Sequence, residues 1–260
     1  LLHSVGFVSA YYIWTAFMIA GTILYFIMSC NAYHFQFRKQ GYSEEASKAM
    51  AIEAGQELFP AGNMKQSLLL SARIPETWIL VIAYFVTFGG FMALTAWLPT
   101  YWQKAHGLSV TQAGLFTSVY ACLAALLRIP GGNLADKIGG LKVSLFAISL
   151  LGTVAAVMAF SSNLAVSGLC TLIIAVAFGL NNAAIMKLVP VYVSKSVGGA
   201  SGWVGGLGAF GGFVIPPVLG KVVDTMGTTG YYRGFLIFSL FSVIVMLILY
   251  FGLVVRNKNK

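Results

Sequence analysis

Seven runs of predominantly apolar residues, each about 20 residues long, occupy most of this 260-residue chain. A segment of that length crosses the hydrocarbon core of a bilayer as a helix. Helix is favoured there because the bilayer offers the backbone no water to bond. We therefore predict an all-α integral membrane protein with about seven transmembrane helices, at residues 8–32, 78–100, 112–131, 141–160, 164–189, 198–219 and 234–255.

The composition agrees with a membrane protein. The chain is 58% hydrophobic and only 9% charged, with a mean hydropathy of +0.84, whereas soluble domains average about 25% charged residues. The net charge of +9 is not clustered, so it predicts no nucleic-acid partner. The lipid bilayer is the expected environment. Cys30, Cys122 and Cys170 lack metal-ligand spacing, and we expect neither a metal nor a cofactor.

The basic residues are distributed unevenly about the spans. If the polar segment at residues 33–77 is cytoplasmic, the alternation of spans places most other basic residues on the same side. Cytoplasmic loops of membrane proteins carry the excess of Lys and Arg. We therefore predict a multi-pass protein of the cell (plasma or inner) membrane with a cytoplasmic C-terminus. The cytoplasmic set is Lys137, Lys142, Lys187, Lys195, Arg256, Lys258 and Lys260, and the outer set is Lys104, Lys221 and Arg233.

One long polar segment divides the spans. Within it, Ser43 followed by good helix formers predicts a short amphipathic helix. One span, a linker and six spans fit part of a twelve-helix transporter built from two six-span halves. We predict that residues 1–32 end the N-terminal half, that residues 33–77 form a cytoplasmic linker, and that residues 78–260 form the C-terminal half. The remainder of the N-terminal half would be the partner of this fragment, in a monomer.

A glycine-rich stretch lies in the sixth predicted span, at residues 202–217. Each glycine would cost a soluble helix about 1 kcal/mol relative to alanine, whereas in membranes small residues allow neighbouring helices to approach closely. The stretch therefore predicts a thin packing surface that moves during gating. The residues assigned to it are Gly202, Gly206, Gly208, Gly211, Gly212 and Pro216.

Arg128 lies near the end of the third predicted span, just before Pro130. An arginine inside the membrane costs about 2.5 kcal/mol or more on insertion scales, and it does not lose its charge. No Asp or Glu lies within a predicted span, so an arginine facing an aqueous cavity would bind an anion. The alternative is an arginine that extends to the cytoplasmic interface, because the predicted helix end is close. Position alone favours neither.

Residues 131–140 join the third and fourth predicted spans with the sequence GGNLADKIGG. The glycines allow a tight turn, and Asp136 can accept hydrogen bonds from backbone N–H groups or from a basic side chain. The segment resembles the cytoplasmic loop motif of the major facilitator superfamily, in which it is a gating and packing element. We therefore assign Gly132 and Asp136 to gating and packing.

Two residue pairs are candidates for lining a substrate path. Tyr84 and Phe88 are four residues apart and share a helix face, where they can wall a cavity or simply pack. Asn181 and Asn182 lie deep in the fifth span, where amides need partners. They can line the path or bridge helices. The sequence carries no nucleophile paired with a base, no phosphate-binding loop and no dinucleotide turn, so we do not expect an enzyme.

The glycine-rich stretch closely resembles the second of two such stretches that mark the nitrate/nitrite porter family of the major facilitator superfamily. Neighbouring segments, including Arg128 within LLRIPGG, follow in the order of that family. The resemblance implies transport of nitrate or nitrite by alternating access. One arginine from each half would hold the anion, and aromatic rings would sandwich it. The implied substrate contacts in this chain are Arg128, Tyr84, Phe88, Gly205 and Asn181.

Two alternatives stay open at this point. The chain can belong to a facilitator for another small anion or organic solute, or to a membrane module that does not transport. Because the predicted spans carry no carboxylate, anion exchange is favoured over proton symport.

Overall fold

A computed structural model describes residues 7–56 and 63–255. In these residues every regular element is helical. Seven of the helices described there are long and apolar enough to cross a membrane, which confirms the predicted all-α membrane fold. They are Val8–Met28, Pro75–His106, Val110–Ile138, Gly140–Ala159, Leu164–Tyr192, Ser194–Met226 and Thr229–Val255, and we refer to them as the first to seventh spans.

Most spans are longer than their apolar cores predict. The second begins with Pro75 at a first-turn position, which suits proline because no N–H is needed there. The third begins with a capping box between Ser109 and Gln112, and the Asn163 side chain accepts from two backbone N–H groups at the start of the fifth. These caps lie outside the apolar runs, so hydrophobicity alone underestimates helix length.

The predicted end of the third span at residue 131 is wrong, whereas the turn predicted from the glycines of residues 131–140 is found at Gly139. A helix continues past residue 131, from Arg128 to Ile138. The chain reverses at Gly139, whose φ of +93° favours glycine. Gly132 and Asp136 therefore lie on the last helical turns of the third span and not in a loop.

The chain divides into two compact units, Leu1–Leu58 and Phe59–Lys260. The first unit contains the first span and two short helices, Tyr33–Lys39 and Glu44–Glu53. The Ser43 side chain accepts from the backbone N–H of Ala46, which confirms the predicted amphipathic helix and its cap. Within that helix, a 2.6 Å contact from Lys48 Nζ to Glu44 Oε1 lowers the pKa of the Glu44 carboxyl.

The second unit contains a short helix, Met64–Ala72, and the other six spans. The fifth span lies at its centre, packing against the second, third and fourth spans, and buried side chains occur along most of its length. The sixth span packs against the second. The helix Met64–Ala72 is held on the sixth span by hydrogen bonds, such as one of 3.0 Å from Trp203 Nε1 to the carbonyl of Leu68.

Three spans of this unit are interrupted near mid-length. The second contains a π-helical segment at Phe85–Gly89, the third breaks at Leu127 between two helices, and the sixth breaks at Phe210. The π segment and the sixth-span break are in direct contact, because a Cβ added at Gly89 would lie 2.6 Å from the Gly211 Cα. π-Helical segments occur frequently at functional sites.

We expect Gly89→Ala to destabilise the second unit. The added methyl group would meet the backbone of Gly211 and, at 2.7 Å, the Gly208 carbonyl, and overpacking of this kind costs about 1–3 kcal/mol. Gly206→Ala is the matched control, since a Cβ there has no described atom within 4 Å. Thermal unfolding of the purified protein in detergent compares the two variants. Equal melting temperatures would contradict the close contact.

Candidate functional site

Arg128 lies well inside the third span. The helix ends at Ile138, so at 1.5 Å per residue the Arg128 backbone is about 15 Å from the helix end. Its Cζ lies 5.0 Å from the centroid of the Phe88 ring and 5.6 Å from that of Phe91, within the range of cation–π interactions. The guanidinium is thus held against aromatic rings, and this geometry does not favour the interfacial alternative.

Part of the Arg128 guanidinium has no partner. Its Nε is buried and makes no hydrogen bond among the described residues. Both ion pairs found among those residues lie elsewhere, at Lys48–Glu44 and Lys187–Asp136. A cation of this kind within a membrane-spanning helix usually faces the bundle interior or a water-filled cavity.

The aromatic rings beside Arg128 form a row along the second span. Tyr84 stacks on Phe88 with centroids 4.9 Å apart and planes at 21°, which agrees with the predicted shared helix face. Phe88 stacks in turn on Phe91 at 6.2 Å, and Phe91 lies 5.9 Å from Tyr120 of the third span. Sequence reasoning missed Phe91 and Tyr120. The spacing of Phe88 and Phe91 was the available signal, because residues three apart also share a helix face.

The glycine-rich stretch packs closely against the second span through only some of its residues. A Cβ at Gly208 would lie 2.6 Å from Tyr84 Cδ1, and one at Gly212 would lie 2.8 Å from Met92 Cβ. A Cβ at Gly211 would collide with the Phe85 carbonyl oxygen. These three glycines therefore set the distance between the second and sixth spans.

The other residues assigned to gating lie in looser surroundings. A Cβ at Gly202 would be 3.5 Å from Leu68, and one at Gly132 or Gly206 has no described atom within 4 Å. Pro216 lies inside the helix Gly211–Met226, which continues past both prolines. The closest packing is thus confined to one part of the stretch.

Asn181 bridges three helices of the second unit. It is fully buried, its Nδ2 donates to Thr87 Oγ1 at 2.9 Å, and its Oδ1 accepts from Ser144 Oγ at 2.5 Å. The geometry favours the bridging alternative for Asn181, because both ends of its amide are engaged by neighbouring spans.

Asp136 is joined to the fifth span. Its Oδ1 and Oδ2 lie 2.7 Å and 2.9 Å from Lys187 Nζ. Both side chains are about half exposed, and a pair of this kind contributes little, about 0–1 kcal/mol, to stability. The ion pair instead affects the positions of the helices, because it links the ends of the third and fifth spans.

The fold and this site define a multi-pass helical membrane protein with a cation inside the membrane. The chain belongs to the Major Facilitator Superfamily, whose family model matches residues 1–216 and 80–260. A bacterial homologue of the human lysosomal transporter Spinster, solved in an inward-facing and occupied conformation, has a similar fold. Its TM-score is 0.50 at 18% identity, over 69% of this chain and 49% of that one, which supports the fold alone.

Curated relatives with higher identity bear the names of nitrate and nitrite transporters. The nitrite extrusion protein of Bacillus subtilis is 37% identical over 62% of this chain and 40% of its own length. The probable nitrate/nitrite antiporter NarK1 of Thermus thermophilus is 34% identical over 58% and 38%. The probable nitrate transporter NarT of Staphylococcus haemolyticus is 33% identical over 66% and 44%. These matches confirm the resemblance to the nitrate/nitrite porter family, although the chain spans less than half of each relative.

We expect Ser144→Ala to destabilise the protein by about 1–3 kcal/mol, because it leaves the buried Asn181 Oδ1 without its donor. Ser118→Ala is the control, since Ser118 is exposed and bonds only the Gly114 carbonyl of its own helix. Its expected effect is within about 0.5 kcal/mol. Unfolding curves of both variants test the bridge, and a Ser144→Ala protein as stable as the wild type would contradict it.

Proposed function

We propose that this chain forms part of a membrane transporter that carries nitrate or nitrite by alternating access, with Arg128 as the residue that binds the anion. The observation that carries the proposal is the Arg128 guanidinium, which lies over Phe88 and Phe91 with its Nε unpartnered among the described residues. The names of the curated relatives support the choice of substrate.

The chemistry of arginine suits this substrate. A guanidinium is planar and presents a rigid fork of donors that matches a planar oxyanion, whereas lysine is a compact point charge. The rings hold the guanidinium by cation–π attraction. The rings also exclude water from one side of the guanidinium, which strengthens the attraction between the guanidinium and a bound anion.

We propose that the anion lies beside the aromatic row, near Gly205. Gly208 touches Tyr84, whereas a Cβ at Gly205, one helical turn earlier, has no described atom within 4 Å. Positions three residues apart share a helix face. We propose that Gly205, Tyr84 and Phe88 border the substrate, and that a second arginine from the other half completes the site.

Alternating access requires helices that move past one another. At Gly208, Gly211 and Gly212 the sixth span contributes no side chain to its contact with the second span, so we propose that the two spans slide there as the halves rock. The Asp136–Lys187 pair lies at the ends of two other spans, where it would hold those ends together during the motion.

The charge distribution supports a cytoplasmic C-terminus in a plasma or inner membrane. We expect a C-terminal fusion of a reporter that is active only in the cytoplasm to be active, because the basic residues lie predominantly on that side. A reporter that is active only outside, fused at the same point, is the control. Activity of the second reporter and not of the first would reverse the topology.

Arg128→Lys tests the binding site directly. In the full-length gene product we expect nitrate affinity to fall about tenfold or more, because lysine keeps the charge but loses the fork. Arg233→Lys is the matched control, since Arg233 also stacks on a ring, 4.3 Å from the Phe160 centroid, but lies outside the proposed site. Isothermal titration of nitrate into the purified proteins gives both affinities. Unchanged nitrate binding in Arg128→Lys would remove Arg128 from the site.

A further inference from the structure

Asn182 is a buried amide with no hydrogen-bond partner. Its side chain is 2% exposed, and neither Nδ2 nor Oδ1 bonds any described residue. Asn181, the residue before it, has both amide atoms engaged. Buried polar side chains nearly always have partners, and an exception calls for an explanation such as a functional role or an unseen ion.

The helical register places Asn182 beside the Arg128 site. At 100° per residue, Asn182 points about 40° from Phe178 and about 60° from Gly179. A Cβ at Gly90, the residue before Phe91, would lie 3.0 Å from the Phe178 ring. A Cβ at Gly179 would lie 2.7 Å from Leu127 Cβ. Asn182 therefore lies on the face of the fifth span between the second span, at the level of Gly90, and the start of the helix that carries Arg128.

The position of Asn182 along the axis of the fifth span also places it near Arg128. Side chains of a helix lean toward its N-terminus, so the Asn182 amide extends back toward the level of Phe178 and Gly179. Those residues contact the neighbours of Phe91 and Arg128. Two adjacent spans thus bring buried, unpartnered polar atoms to one region, namely Arg128 Nε and both amide atoms of Asn182.

We propose that Asn182 is a specificity-determining residue of the anion site, selecting nitrate over nitrite. In the occupied site, Asn182 Oδ1 accepts from Arg128 Nε–H, and Nδ2 donates to the anion. This arrangement satisfies all three unpartnered atoms at once. The proposal for Asn182 rests on the proposed role of Arg128 in binding the anion.

The proposed selectivity for nitrate over nitrite follows from the number of oxygen atoms in each anion. The two terminal nitrogens of the Arg128 guanidinium engage two oxygens of a planar anion as a fork. Nitrate has a third oxygen that accepts from Asn182 Nδ2, and nitrite has none. A site built to bond a substrate group discriminates against an analogue that lacks it, because the polar group of the site is then left unpaired.

The test compares Asn182→Leu with Ser144→Ala in the full-length gene product, by titration with nitrate and with nitrite. Leucine is similar in size to asparagine and removes the amide. We expect Asn182→Leu to weaken nitrate binding about tenfold or more and nitrite binding less than about threefold, since bonds to charged groups are among the stronger ones. Ser144→Ala is expected to lower the melting temperature, because it removes a buried hydrogen bond, and to leave the nitrate/nitrite affinity ratio unchanged.

An unchanged affinity ratio in Asn182→Leu would overturn the inference, whether both affinities fall together or neither falls. Asn182→Ala gives the same comparison if the leucine variant does not fold. The Arg128→Lys measurement separates the two proposals. Loss of nitrate binding in Arg128→Lys with an unchanged ratio in the Asn182 variants rejects only the role of Asn182. Nitrate binding that withstands Arg128→Lys rejects the proposed site itself.

Discussion

The close approach of the second and sixth spans is the constraint on which the site depends. Gly89, Gly208 and Gly211 meet with no room for a methyl group, and Tyr84 packs against Gly208 at the same place. This contact fixes where the row of rings lies, and the row in turn holds the Arg128 guanidinium. A larger residue at the contact would displace the rings before it touched Arg128.

The lengths of the apolar runs predict most of the fold. They do not predict where along its helix, or on which face, each residue of the site lies. Hydropathy predicts seven spans, and the spacing of Tyr84 and Phe88 predicts that they share a helix face. It does not predict the helix through residues 131–138, because that segment is rich in glycine and polar residues, and the burial of Gly131 and Ala135 depends on neighbouring helices. That extension decides the position of Arg128, which a helix ending at residue 131 would place near the interface.

The two asparagines illustrate a second limit. Adjacent residues of a helix point 100° apart, so one can bridge helices while the next faces a site. The sequence alone does not distinguish the two roles, because both residues are asparagine. Asn181 meets Thr87 and Ser144, whereas Asn182 meets no described partner. Only the packing of the neighbouring spans separates these roles, and no pattern within the fifth span itself contains that information.

The two polar side chains proposed to donate to the anion and the glycines proposed to move lie on different pairs of spans. Arg128 and Asn182 belong to the third and fifth spans, which Gly131 and Gly179 bring into close contact and which Lys187 and Asp136 join at their ends. The glycine contact that we expect to slide belongs to the second and sixth spans. Since binding needs fixed donors and access needs motion, this division allows the donors to keep their geometry while the glycine contact shifts. The aromatic row, on the second span but against Arg128, is where the two pairs meet, so we expect motion of the glycine contact to reach the anion first through Phe88.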